Sequence, residues 1–572
     1  MPLFRLVFFS ILILNSINDD PGDKSLFVSP VKIPLSLSAN FGELRIDHFH
    51  SGIDIKTQGV TGKEVLAAAD GYVYRISISP NGFGKALYLR HQSGYSTVYG
   101  HLESFTPAID EYVKQSQYEK KNFTVNLYPL AEKFPVRQGD LIAYSGNTGG
   151  SSGPHLHYEI RKSDTEEPVN PLLFEFGIAD NTKPVIERLV IYPAGRNTLI
   201  NGRNSVLKMQ VSGGGGKYFI SPENELRLSG PAGFGLKSYD LLDDSYNKCA
   251  AYSIELKVDS ITKFRYVMDK FAFSESRYIN SHVDYEAYMK EKTYYERTFI
   301  LPGDRLSTYH NVINKGIYNF TDSGRHHVEI ILEDAHKNRS SLIFYVMSDK
   351  PSAPAARKLR DALIPMIHNR SNRFRAENIT ITIPSGALYD TLFFKYRKEP
   401  GNPLMYSDVH YVHDIFTPLH KAYSLSIKPA IIPEGKASKM LIIQMNDDFS
   451  KSSLGGTWTE DFITASAQSF GMFYVGIDTV APGIYANGLT SGADLTGKRE
   501  LRIRILDDLS GIKSYEPLID DKWALFEYDL KNNVLVYRFD PERITKGTMH
   551  TLSLKVTDNK DNQSEFSCLF KW

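Results

Sequence analysis

Two cysteines in 572 residues, Cys249 and Cys568, provide no material for a disulfide framework. They fall far apart in the chain, so a bridge would have to cross a domain boundary, and two buried free thiols are the simpler reading. Charge of one sign is equally scarce. Sixty-six Lys and Arg balance 66 Asp and Glu, and a net charge of zero gives no broad positive field for nucleic acid. No apolar run reaches the ~20 residues that a membrane-spanning helix needs. The run at residues 6–14, behind Arg5, reads instead as the core of an export signal over residues 1–18. No cysteine follows it, which argues against a lipid anchor. The expectation is an exported chain of the periplasm or cell envelope, with no transmembrane segment once mature. A His-Glu-x-x-His helix is also missing, and with it the usual glutamate base of a zincin protease.

What is present is concentrated between residues 50 and 157. Four short patches stand there: His50-Ser51-Gly52-Ile53-Asp54, Tyr99-Gly100-His101-Leu102, Ser145-Gly146-Asn147-Thr148-Gly149 and Gly153-Pro154-His155-Leu156-His157. His50, Gly52 and Asp54 are spaced by two, so a β-strand would turn all three to one face, with Gly52 leaving room for an ion. His155 and His157 repeat the spacing, with Leu156 turned into a core. Two histidines and one aspartate make an open zinc set whose fourth position is left to water. Five histidines (His48, His50, His101, His155 and His157) exceed what one such site needs. Neutral imidazoles beside a metal can take over the proton transfer that a glutamate would otherwise perform. Carboxylate pairs do not accompany these motifs, which disfavours glycoside cleavage.

The run His50-x-Gly-x-Asp54, the Tyr99-x-His101-Leu102 segment and Gly-Pro-His155-Leu-His157 resemble the signature of the lysostaphin/LytM-type peptidoglycan metalloendopeptidases. Residues 65–71, 136–140 and 145–149 match the same family in order, and the likeness covers about residues 40 to 172. The resemblance implies one zinc ion held by His50, Asp54 and His157. It implies catalytic, non-ligand roles for His101 and His155, and peptide bonds of peptidoglycan cross-links or stem peptides as substrate. A catalytically silent scaffold or activator of another wall hydrolase is the alternative. His48 and His91 stay outside the site in this reading, and Arg45 either contacts substrate or braces a loop.

Length alone asks for three or four domains, and abundant tyrosine with few amphipathic helical stretches points to a mainly β chain. The expected architecture is a LytM-type antiparallel β-sheet peptidase domain at residues 25–175, followed by three β-sandwich (immunoglobulin-like) modules. An insertion at about residues 103–133 has helical spacing at Ile109, Tyr112, Val113 and Tyr118, and is expected to shape a cleft wall. Residues 183–349 read as an immunoglobulin-like sandwich with its own insertion, 350–371 as a linker with a short helix, and 480–572 as a second such sandwich. Residues 372–476 read as a further β module that faintly resembles the ZU5 type. Residues 235–239 echo 511–515, and Asp334-x-x-x-Asn338 echoes Asp558-x-x-x-Asn562, so one module is repeated. These modules carry no catalytic constellation. They are expected to position a self-contained peptidase by binding wall, envelope proteins or each other.

Overall fold

Alternating side chains build the N-terminal sheet. The computed structural model describes residues 23–350 and 364–572, apart from 222–224, 244, 447 and 449; the expected export signal lies outside them. The strands that matter are β1 (Leu37–Ala39), β2 (Ile53–Lys56), β3 (Gly71–Ile78), β4 (Lys85–Arg90) and β5 (Tyr95–Leu102). Helix α1 (Pro107–Lys120), β6 (Val125–Leu127) and β7 (His155–Lys162) complete the set. They form one antiparallel sheet in the order β1-β2-β7-β5-β4-β3-β6. In β7, Leu156, Tyr158 and Ile160 are fully buried in the core on one face. His155, His157, Glu159 and Arg161 occupy the other, as strand alternation dictates.

The expected insertion contains α1 and β6. Pro107 opens the helix, where its missing N–H costs nothing, and Ile109 and Val113 bury one flank. The opposite flank is covered by a distant part of the chain. It receives the C-terminal module: Tyr118 packs edge-on against Trp523, Arg543 lies over the Tyr118 ring, and Lys114 pairs with Asp540 at 2.6 Å.

Residues 185–348 form two sheets that share one long strand, Leu226–Tyr239, around a single core containing Leu189, Ile191, Leu256 and Ile330. The insertion in this module carries a two-turn 3-10 helix Phe273–Tyr278 and the short helices Ile279–His282 and Tyr285–Glu291. Residues 351–363 of the expected linker and helix lie outside the described residues. Ile364–Met366, expected in the same linker, is a strand paired with Leu392–Phe394, because Met366 is buried in the next core. That third module encloses its core between two five-stranded sheets, and the fourth between a four- and a five-stranded sheet. Both cysteines are buried and free. No helix among the described residues is long and apolar enough to cross a membrane.

The N-terminal domain packs closely against the next module. Phe41 and Phe49, which flank the turn leading into His50, are 2% and 1% exposed and belong to the core of the first sandwich, against Phe271. Asn40 exchanges two hydrogen bonds with the backbone of Ala250, and Phe49 N–H donates to Ser276 Oγ at 2.9 Å.

Candidate metal centre

His155 and His157 share a face of β7 as expected, and Asp54 lies on β2 directly opposite His157 in the register. His50 differs from expectation. It lies in the turn between Phe49 and β2, so its place comes from that turn and not from strand parity. Gly52 also has another reason. A Cβ there would fall 2.3 Å from Tyr158 O and 3.0 Å from the His157 ring, so only glycine lets this turn press against β7.

Three donor atoms converge. His157 Nδ1 lies 2.9 Å from Asp54 Oδ1 and 3.1 Å from His50 Nε2, and His50 Nε2 lies 3.1 Å from Asp54 Oδ1. A tetrahedral zinc with bonds of about 2.0–2.1 Å sets its donors roughly 3.3 Å apart, so this triangle fits the ion with a shift of a few tenths of an ångström.

The surroundings turn each donor inward. His50 Nδ1 donates to Asn40 O at 2.8 Å, leaving Nε2 for the centre. His157 Nε2 donates to Glu159 Oε1 at 2.9 Å, leaving Nδ1. Arg45 donates to Asp54 Oδ2 at 3.0 Å, which leaves Oδ1 facing the histidines. Arg45 therefore braces the carboxylate.

Burial depresses the His50 imidazole, opposed by Asp54. Burial also works against the charged forms of Asp54, His157 and Glu159, yet their mutual contacts win. Asp54 is held well below the carboxylate range, His157 is raised to about 9, and Glu159, next to Arg161, is lowered to about 2.

Glu159, fully buried, also accepts from Ser51 and Arg161. Sequence reasoning missed it, although strand parity places it on the histidine face.

His101 and His155 stand beside the triangle. His101 is in the left-handed region at φ +59°, costly for a side-chain-bearing residue. A bulge puts it there: Leu87 faces Tyr99 and Lys85 faces Leu102, so β5 has one extra residue at Gly100–His101. Its Nδ1 donates to Thr148 O at 2.8 Å, and burial, then the neighbouring imidazoles, push it down to about 3. His155 Nδ1 donates to Gly153 O at 2.8 Å, and its Nε2 lies 3.5 Å from Asp54 Oδ1. The two rings are 4.7 Å apart. In both rings Nδ1 is engaged by a backbone carbonyl.

Gly146 lets the loop at residues 145–153 close on His101, since a Cβ would meet Glu103 N at 2.4 Å. The C-terminal module touches this loop: Lys531 donates to Asn147 O and, at 3.1 Å, to Ser151 O, while Lys85 beside it pairs with Glu527.

The other sequence candidates lie apart. His48 is exposed and bonded to Ile46 O. His91 is buried between Asp70 O and Thr97 Oγ1, a structural histidine on the far side of the sheet path.

The profile of peptidase family M23 matches residues 48–118 and 124–171, and that of the Zu5-like domain matches residues 365–478. The DD-carboxypeptidase/endopeptidase Mpg of Neisseria meningitidis serogroup B is 35% identical over 123 residues, 22% of either chain. The murein hydrolase activator NlpD of Escherichia coli is 29% identical over 125 residues, 22% of this chain and 26% of its own. The chain thus spans about a quarter or less of the length of these curated relatives. The catalytic domain of lysostaphin from Staphylococcus simulans shares 21% identity over 24% of this chain and 90% of its own, at a TM-score of 0.18. The chain carries, in the region of residues 48–171, a LytM-type domain of peptidase family M23.

Proposed function

We propose that this chain is an exported zinc metalloendopeptidase that hydrolyses peptide bonds in peptidoglycan cross-links or stem peptides, with His50, Asp54 and His157 as metal ligands. Zinc, when bound, acts as a Lewis acid on a carbonyl and makes water a nucleophile near neutral pH. The protein does the rest. His101 and His155, tied at Nδ1 to backbone carbonyls, offer Nε2 at the centre. One accepts the proton of the attacking water, and the other donates to the oxygen on which charge develops. Arg45 and Glu159 keep the ligand atoms oriented.

The observation that carries this reading is the pair of non-ligand histidines beside a three-donor triangle, one of them held in a costly backbone conformation. The alternative, a silent activator, draws on the likeness to NlpD. His101→Ala and His155→Ala separate the two. Each is expected to keep one zinc equivalent and lose about 100-fold or more in hydrolysis of purified muropeptides. Loss of zinc would move that histidine into the ligand shell, and unchanged turnover would remove it from catalysis.

A further inference from the structure

The Asp-x-x-x-Asn turn occurs twice, and its two copies are built alike up to a point. Asp334 Oδ1 accepts from His336 N and Asn338 N at 2.8 and 2.9 Å, and Oδ2 accepts from Asn338 Nδ2 at 2.8 Å. Asp558 does the same with Lys560 N, Asn562 N and Asn562 Nδ2 at 2.8, 2.8 and 2.7 Å. In each copy the asparagine amide also donates to the carbonyl of an earlier aspartate, Asp180 at 3.0 Å or Asp478 at 3.2 Å. Turn-making accounts for all of this.

The copies then diverge. In the C-terminal copy both oxygens of Asp478 accept backbone N–H groups, from Val480 and Ser510. Asp507 accepts from Leu509 and Gly511, and the Lys560 ammonium adds positive charge nearby. The copy beside the peptidase domain lacks these partners. Asp180 Oδ1 accepts from Thr182 N at 2.9 Å and the carboxyl also meets that of Asp243, but Oδ2 accepts no hydrogen bond among the described residues, although the side chain is only 1% exposed. Asp240, 3% exposed, likewise leaves Oδ1 without one.

At the position of Lys560 stands His336. Its Nε2 lies 3.0 Å from Ile178 O, which can only accept, so Nε2 bears the hydrogen. Nδ1, without a hydrogen-bond partner, lies 3.7 Å from Asp180 Oδ2. One donor atom each from Asp180, Asp334 and His336 falls within 4.8 Å of the others. Buried carboxylate oxygens and a buried imidazole lone pair without partners are costly. Burial, reinforced by mutual repulsion, raises Asp240 to about 8 and Asp180 to about 6. The orphaned Asp180 Oδ2 and His336 Nδ1 face one another, and Asp334 completes the group.

We propose that Asp180, Asp334 and His336, with Asp240 close by, bind a second divalent metal ion, which clamps the segment leaving the peptidase domain onto the first sandwich. Carboxylates with one imidazole suit a first-row transition ion such as Mn²⁺ or Zn²⁺ better than the all-oxygen ions Ca²⁺ and Mg²⁺. The site lies apart from the catalytic centre and does not depend on hydrolysis.

The test is metal stoichiometry of the full-length protein, stripped and then dialysed against Zn²⁺ or Mn²⁺. Expected are two equivalents of Zn²⁺ in the wild type and one in Asp180→Asn/Asp240→Asn, with the remaining equivalent removed by adding Asp54→Ala. Asparagine keeps the size of the side chains. His336→Lys, which copies the residue of the C-terminal turn, should also drop the second equivalent while raising the melting temperature of the metal-free protein. Retention of both equivalents in the Asp180→Asn/Asp240→Asn variant would overturn the proposal. So would a wild type whose melting temperature and metal content respond identically to that variant's in both metals.

Discussion

Glu159→Gln removes one charge from a fully buried chain of polar groups and leaves the shape intact. Glu159 holds Arg161 through one carboxylate oxygen and His157 and Ser51 through the other. Loss of the charge strands the Arg161 guanidinium, itself 6% exposed, with only Glu166 at 3.4 Å to compensate. Breaking one partner of a buried pair costs about 3–5 kcal/mol, and the Glu166 contact puts the expectation near the lower end. The same change weakens the hold on His157 Nε2, so the ring no longer presents Nδ1 in one tautomer. Loss of such an orienting partner lowers metal affinity about 10- to 100-fold.

Urea unfolding of the metal-free protein and competition with a zinc chelator measure the two effects separately. They also part in a second variant. Glu159→Gln/Arg161→Met removes both charges, so it should recover most of the stability while zinc affinity stays low. A Glu159→Gln protein with wild-type urea midpoint and zinc affinity within twofold of wild type would refute the reasoning.

Two further perturbations follow from the contacts between modules. Lys531→Ala should leave zinc binding unchanged and lower turnover several-fold, because Lys531 fastens the loop whose Thr148 carbonyl orients His101; muropeptide kinetics beside zinc titration check both. Glu527 responds to pH. Burial alone would raise its carboxyl, but Lys85 and Arg538 outweigh it and hold it at about 2, against an ordinary 4.5. A depressed carboxylate contributes stability above its ordinary value and loses it as pH falls from 4.5 toward 2. The shift corresponds to roughly 3 kcal/mol, and with the side chain 24% exposed, screening reduces this to about 1–2 kcal/mol. Proteolysis of the C-terminal module should therefore accelerate below pH 4.5 in the wild type, and Glu527→Gln should already show that susceptibility at pH 6. Equal rates in the two proteins at pH 6 would contradict the role of this pair.

The order of the histidine and glycine motifs made the metal centre legible in the sequence, because each patch is local and its spacing carries the information. Glu159 was equally available, two residues beyond His157 on the same strand face. The left-handed His101 was not, since a bulge depends on how β5 registers against Lys85 and Leu87. Support from afar was also hidden: Asn40 reaches Ala250 across 210 positions, and Lys531 reaches Asn147 across 384. The helix in the insertion at residues 103–133 was recognisable from its spacing, but only the fold shows that α1 receives the last module. The repeated Asp-x-x-x-Asn turn was visible as repetition. The difference between its copies, a histidine in one and a lysine in the other, gained meaning only once the unpartnered oxygens of Asp180 and Asp240 were located.

The central claim is that three ligands and two free histidines make a working zinc peptidase. Incubating the full-length protein, loaded with zinc, with purified cross-linked muropeptides and following the products by mass spectrometry tests it most directly. The account predicts cleavage at a peptide bond that chelation abolishes and zinc restores, and that His101→Ala and His155→Ala lack despite bound zinc. Intact muropeptides after prolonged incubation, with zinc demonstrably held by His50, Asp54 and His157, would contradict it and leave the silent activator as the function of this fold.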